Sequence, residues 1–300
     1  LLIATTALVA TAGVAVADVK ISGYARFGAV YNDNGVNPDD VNTASRLRIQ
    51  MDLTTETDGG LTLGARQRFQ TEENAANAGG NQARFYATAG GLTIAVGNIL
   101  GVIEAAPNLY LPTKSAGMGL EGNGFASLAA NTYANGGAFG WTAYQSAGAG
   151  AQDGVEVLYS MNGIGLHAHS TDTSYGLGAN YKFADYTVAV AYEEWNEGAR
   201  DGDSILFASL GGSFGAFDAA LSYADTEYGA VDSEKVSLRA GYKANDALYV
   251  YGFVADEDTV DTAYGLGASY GLGGGASVEG GWTSNQNGDN IVSAGIFFSF

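Results

Sequence analysis

The 300-residue chain contains no cysteine, only three prolines and a single uncharged hydrophobic run, at its start. Without cysteine an exported chain forgoes disulfides. So little proline argues against a proline-rich disordered chain. A helical membrane protein of this length would carry several runs of about 20 apolar residues. Basic residues are also few: 13 Lys and Arg stand against 32 Asp and Glu, a formal charge of −19. Nucleic-acid binding needs the opposite balance, so a nucleic-acid partner is excluded. The acidic excess suits carboxylate-rich loops in water, where Ca²⁺ is a candidate loop-bound ion. The clusters at 39–40, 193–194, 201–203 and 256–261 lack EF-hand spacing, and no cofactor is required.

The hydrophobic run, residues 1–17, closes with Ala15-Val16-Ala17, a small-x-small pattern before Asp18. It reads as an N-terminally truncated signal peptide, cleaved after Ala17, ahead of a single domain at 18–300.

Present in abundance are glycine, at 45 residues, and a pattern of alternation. Val236, Leu238, Ala240 and Tyr242 fall on one parity; Lys235, Ser237, Arg239 and Lys243 fall on the other. Successive side chains of a strand point to opposite faces, so this strand is apolar on one side and wet on the other. The pattern recurs at 175–183, 217–223, 264–272, 276–282 and 292–300. A mean hydropathy of +0.01 fits such a chain, because lipid-facing and water-facing residues cancel in any window. The fold class read here is all-β: a transmembrane antiparallel β-barrel.

Strands are predicted at 18–31, 45–57, 61–70, 82–89 and 92–97, joined alternately by long polar loops and by tight turns such as Asp58-Gly59-Gly60. Further short turns fall at 162–163, 184–185, 214–215, 245–246 and 273–275. Longer polar connections are expected at 196–203, 226–233, 256–261 and 284–290. A barrel with one rim in the periplasm and one outside segregates its loops this way. The stretch 98–153 is long and poor in charge. Read as one functional loop it leaves sixteen strands; read as containing a hairpin at 125–133 and 138–146 it gives eighteen. Sixteen is preferred, because loops longer than about 15 residues are usually functional.

Arginine clusters early. Arg26, Arg46, Arg48, Arg66, Arg68 and Arg84 lie in the first strands, opposite the large apolar residues, and only Arg200 and Arg239 come later. In a barrel they share one side of the lumen wall. The expected role is one half of a charged constriction, with Glu104 and Glu121 of the long loop as the other half. The plainer alternative is a polar lumen with local pairs, such as Arg66 or Arg68 with Asp52. A row of arginines facing carboxylates sets a field across a narrow aqueous gap, which tunes ion preference while diameter sets size. His167 and His169 share a strand face but lack a third metal ligand nearby, so they read as polar lumen lining and no metal site is assigned. Tyr31, Tyr192, Trp195, Tyr228 and Trp282, near strand ends, read as interfacial aromatics. No nucleophile elbow is present, and the glycine-rich stretches do not open helices, so no catalytic residue is assigned.

The stretches DVKISGYARFGAVYNDNG, SRLRIQ and YGLGASYGLGGGASVEGG, with the ending GIFFSF, resemble the general porins of alphaproteobacteria, close to the Rhodobacter type. The resemblance covers most of the chain after Asp18 and is weakest in 98–153 and the outer loops. It implies an outer-membrane homotrimer of sixteen-stranded barrels, surrounded by lipid, that passes ions and small hydrophilic solutes. It also implies a third loop folded inward to make an eyelet, and pairing of the first strand with the last, ending at Phe300. The loop departs from that family in being longer and poorer in acid. The alternative is a substrate-specific channel with a lumenal binding site.

Overall fold

The computed structural model describes residues 17–33, 41–72, 79–110, 140–147, 153–258 and 260–300. Glu121, nearly all of the segment 1–17 and the stretch 125–133 lie outside them. Sixteen antiparallel strands build the wall. They are β1 Asp18–Asn32, β2 Val41–Glu56, β3 Thr62–Glu72, β4 Arg84–Ala89, β5 Leu92–Asn98, β6 Asp153–Met161, β7 Ile164–Thr171 and β8 Ser174–Phe183. The second half comprises β9 Tyr186–Trp195, β10 Ser204–Phe214, β11 Phe217–Tyr228, β12 Val231–Lys243, β13 Leu248–Glu257, β14 Ala263–Gly273, β15 Ala276–Ser284 and β16 Asn290–Ser299. A two-residue strip, Gly79–Gly80, adds a short ladder against Phe69 and Gln70.

Each strand pairs with its neighbours in sequence, and β1 also pairs with β16, from Tyr24 opposite Ser299 to Asn32 opposite Ile291. The sheet therefore closes into a ring, which leaves no exposed edge. Phe300 prolongs the seam: Gly23 N donates to Phe300 O at 2.9 Å and Phe300 N to Gly23 O at 3.0 Å. Gly23 is required here, because a Cβ would meet the Phe300 ring at 2.9 Å.

The alternation sorts as the sequence predicts. Leu266, Leu177 and Ile21 point outward and are 66%, 63% and 61% exposed, whereas Lys235 and Ser237 point inward and are buried. A continuous apolar belt of this kind is not left bare in water; it is the surface a barrel presents to lipid. The short turns carry their own aromatic ring. Tyr181, Phe183 and Tyr186 stack at 5.9 and 5.8 Å, Phe214 stacks on Phe217 at 5.8 Å, and Phe217 meets Tyr242 at 4.6 Å. The sequence reading missed this ring by looking mainly at the other rim, where Tyr31, Tyr192 and Trp282 do face outward.

Three expectations are corrected. Residues 226–233 are not a long connection: β11 and β12 run through them to a two-residue turn at Gly229 and Ala230. Their acidic side chains stand above the apolar belt, where water tolerates charge on an outward strand face. Trp195 and Tyr228 are not interfacial aromatics. They fall on the inward parity and flank Arg200, whose guanidinium lies 3.5 Å from the Trp195 ring centroid and 5.1 Å from that of Tyr228. The eighteen-strand alternative also fails. Residues 140–147 form no strand but run inside the barrel, and sixteen strands close the wall without them.

Candidate functional site

After β5 the chain turns into the lumen. Ile99, Val102, Ile103 and Leu109 recur at spacings that bring them to one side of a turn-rich segment held by Ala105 N to Gly101 O (3.2 Å) and Ala106 N to Ile103 O (3.0 Å). Val102, Ile103 and Leu109 pack against Ala191, Trp195, Ile205, Phe207 and Ala224 on β9–β11, joined by Trp141 from the returning arm of the loop. Apolar residues on the inward parity of β9–β11 are anomalous in a wet lumen. They are the signal in the sequence for where the loop sits, and the sequence reading did not use it.

Polar anchors hold the segment at both ends. Asn98 Nδ2 donates to Gln82 O at 3.0 Å and Gln145 O at 2.9 Å, and its Oδ1 accepts from Gln145 N at 3.0 Å. Glu156, fully buried, accepts from Arg84, from His167 Nε2 (2.9 Å) and from Leu100 N (3.2 Å). His169 Nδ1 accepts from Val102 N at 3.1 Å. His169 thus fastens the loop to the wall directly, and His167 braces the Glu156 that does the same. Among the described residues, no group of three or more His, Cys, Asp or Glu is placed to hold a metal ion. Farther along, Asn108 Nδ2 donates to Thr187 O at 3.3 Å, and Ser209 Oγ donates to Pro107 O at 2.8 Å.

The wall arginines stand on the first four strands, in register. Arg26 lies opposite Arg46, Arg46 opposite Glu72, Arg48 opposite Gln70, Gln50 opposite Arg68, Asp52 opposite Arg66, and Arg66 opposite Arg84. Register decides which charges cancel. Arg46 meets Glu72 at 2.6 Å and Arg66 meets Asp52 at 2.7 Å, the local pair foreseen for Asp52, while Arg84 pairs with Glu156. Arg48 and Arg68 instead donate to the neutral amides Gln70 Oε1 and Gln50 Oε1, each at 2.7 Å. Each also lies over a tyrosine: Arg48 5.2 Å from the Tyr24 centroid, Arg68 4.5 Å from that of Tyr144. A guanidinium over a ring face keeps its charge while its position is fixed.

Among the described residues of the loop, Glu104 is the carboxylate that feels the charges of Arg68 and Arg48. Its Oε2 accepts from Tyr110 OH and, at 3.0 Å, from Trp141 Nε1. Burial pushes the Glu104 carboxyl above the usual carboxylate range, against the pull of those two hydrogen bonds and of the Arg68 and Arg48 charges. Tyr110 is pushed up by burial and by the adjoining carboxylate, so it remains a donor. Glu121 lies outside the described residues.

A closed barrel with a lipid-facing belt and a polar lumen entered by a charged loop is a membrane channel. The Gram-negative porin family matches residues 4–294, and the chain belongs to that family. It is 31% identical to a porin of Fuscovulum blasticum over 301 residues, covering 94% of this chain and 100% of that one. It is 30% identical to a porin of Rhodobacter capsulatus over 325 residues, with the same coverage. Among solved structures, a triple mutant of Rhodopseudomonas blastica porin superposes with a TM-score of 0.79 at 30% identity, and a second mutant of that porin with 0.78 at 28%. Each structure is covered in full by 94% of this chain. Fold and family together make the chain a diffusion channel of the outer membrane.

Proposed function

We propose that the passage is narrowed between the arginine wall and Glu104, and that this eyelet admits ions and small hydrophilic solutes without a chemical step. The observation that carries this reading is the contrast in pairing along the wall. Among the described residues Arg46 and Arg66 are cancelled by carboxylates, whereas Arg48 and Arg68 donate to neutral amides, and their charges reach Glu104. The transverse field then runs from two fixed cations to one fixed anion across water. Polar solutes orient in such a field, and apolar ones must displace ordered water to pass.

In this reading residues 1–17 are removed during export, and residues 18–300 assemble as a homotrimer with its apolar belt in lipid. Any Ca²⁺ would sit among the acidic outer loops rather than in the pore. Single-channel recording in a planar bilayer with a salt gradient tests the reading. Stable ohmic steps grouped in threes are expected, with a reversal potential that moves when Arg48, Arg68 or Glu104 is neutralised. A reversal potential indifferent to all three would remove them from the eyelet. Saturable block by one solute would favour the substrate-specific alternative.

A further inference from the structure

Between Asn108 of the lumenal loop and the rim of short turns lies a recess of about 500 Å³, on strands that carry none of the six wall arginines. A volume of this order is typical of small-molecule sites. Asn108 of the loop covers it, Thr187, Asp218, Arg239 and Tyr249 line it, and Asp185 stands at its outer margin.

The lining is braced. Arg239 Nη1 donates to Asp218 Oδ1 at 3.1 Å and Nη2 to Asn108 Oδ1 at 3.4 Å, while Tyr249 OH donates to Asp218 Oδ2 at 2.9 Å. This ties three wall strands to Asn108 of the loop before any solute arrives, and preorganised polar groups lose less entropy on binding. Glycine keeps the space open. At Gly241 a Cβ would strike the Asp218–Tyr249 pair, and at Gly271 it would meet only Ala247 O, at 3.7 Å.

The charges restrict what can bind. Asp218 is neutralised by Arg239, and Asp246, also on the lining, meets Lys243 at 3.0 Å. Asp185 leaves the recess slightly negative, which disfavours anions. The lining brings amide, hydroxyl, guanidinium and carboxylate groups together with the ring of Tyr249. Such a lining suits a ligand whose groups both donate and accept and whose ring has an apolar face.

We propose that this recess is a binding subsite for neutral polyhydroxylated solutes of one or two sugar rings, separate from the eyelet. It rests on the channel reading only for access, because solute must reach the recess through the lumen.

Saturation-transfer NMR on the detergent-solubilised whole chain, with maltose as probe and glucuronate as charged control, tests it. A saturable maltose signal is expected, weaker for glucuronate. Gly271→Phe, which fills the recess, should weaken binding about tenfold or more. The milder Tyr249→Phe should weaken it roughly threefold to tenfold through loss of the hydroxyl that braces Asp218. The Arg48→Gln/Arg68→Gln variant should bind as before. Absence of a saturable signal overturns the proposal, as does a signal unmoved in a folded Gly271→Phe variant. If that variant does not fold, an unmoved Tyr249→Phe does the same. A signal lost in the arginine variant, or equal for glucuronate, also overturns it. Bilayer recordings on the same samples separate the two readings. Open channels without maltose binding sink the recess alone, and maltose binding by a silent protein sinks the channel.

Discussion

At the scale of single residues, selectivity follows from which partner each arginine was given. Arg46 and Glu72 cancel, so changing both to glutamine should leave the reversal potential in place. Arg48 and Arg68 do not cancel against their amide partners. A unit charge about 10 Å from a permeating ion in water is worth roughly 0.4 kcal/mol. Replacing both arginines by glutamine should therefore raise the cation-to-anion permeability ratio by about two- to fourfold per charge, less at high salt. Glu104 supplies the opposite sign and a pH dependence. Its carboxyl is raised by burial, so it takes up a proton as pH falls at values above those of an ordinary carboxylate. Protonation removes the Glu104 charge facing the two cations, so reversal potentials should drift toward anions as pH falls. In Glu104→Gln that drift should vanish, and the shift toward anions should already be present at neutral pH. None of this could be read from the arginines as a list. Position along a strand gives parity, but the register between strands decides whether a guanidinium faces Glu72 or Gln70.

At the scale of elements, the wall was legible and the loop was not. Strands with a clean period of two, such as β12 and β14, fall where alternation places them, because one face must meet lipid and the other water. Legibility fails where polarity stops tracking location. The acidic run around Gly229 reads as loop by composition but continues the sheet above the belt, with Asp225 opposite Glu234 and Glu227 opposite Asp232. Ala191, Ile205 and Phe207 read as ordinary strand residues, yet they form the seat of the loop. The lipid belt itself is a strong constraint. Leu266→Arg, on the most exposed leucine among the described residues, should cost about 2–4 kcal/mol if it lies near the bilayer midplane. Reversible urea unfolding in lipid vesicles measures this, and a change below about 1 kcal/mol would put Leu266 at the interface instead.

At the scale of the whole molecule, the decisive feature is the seam between β1 and β16, clasped by Gly23 and Phe300. Fifteen of the sixteen strand pairings join sequence neighbours, most of them through short turns; this one joins segments separated by nearly the whole chain. Contacts of such long separation are slow to make, because the intervening chain must first be ordered. Until they form, the growing sheet carries two unsatisfied margins, each a template for a foreign strand. Gly23→Val, which crowds the Phe300 ring, should accordingly lengthen the time to a heat-resistant band on electrophoresis far more than it alters conductance once folded. Insertion thus becomes a race in which the strand ending at Phe300 decides whether the earlier strands become a pore or an aggregate.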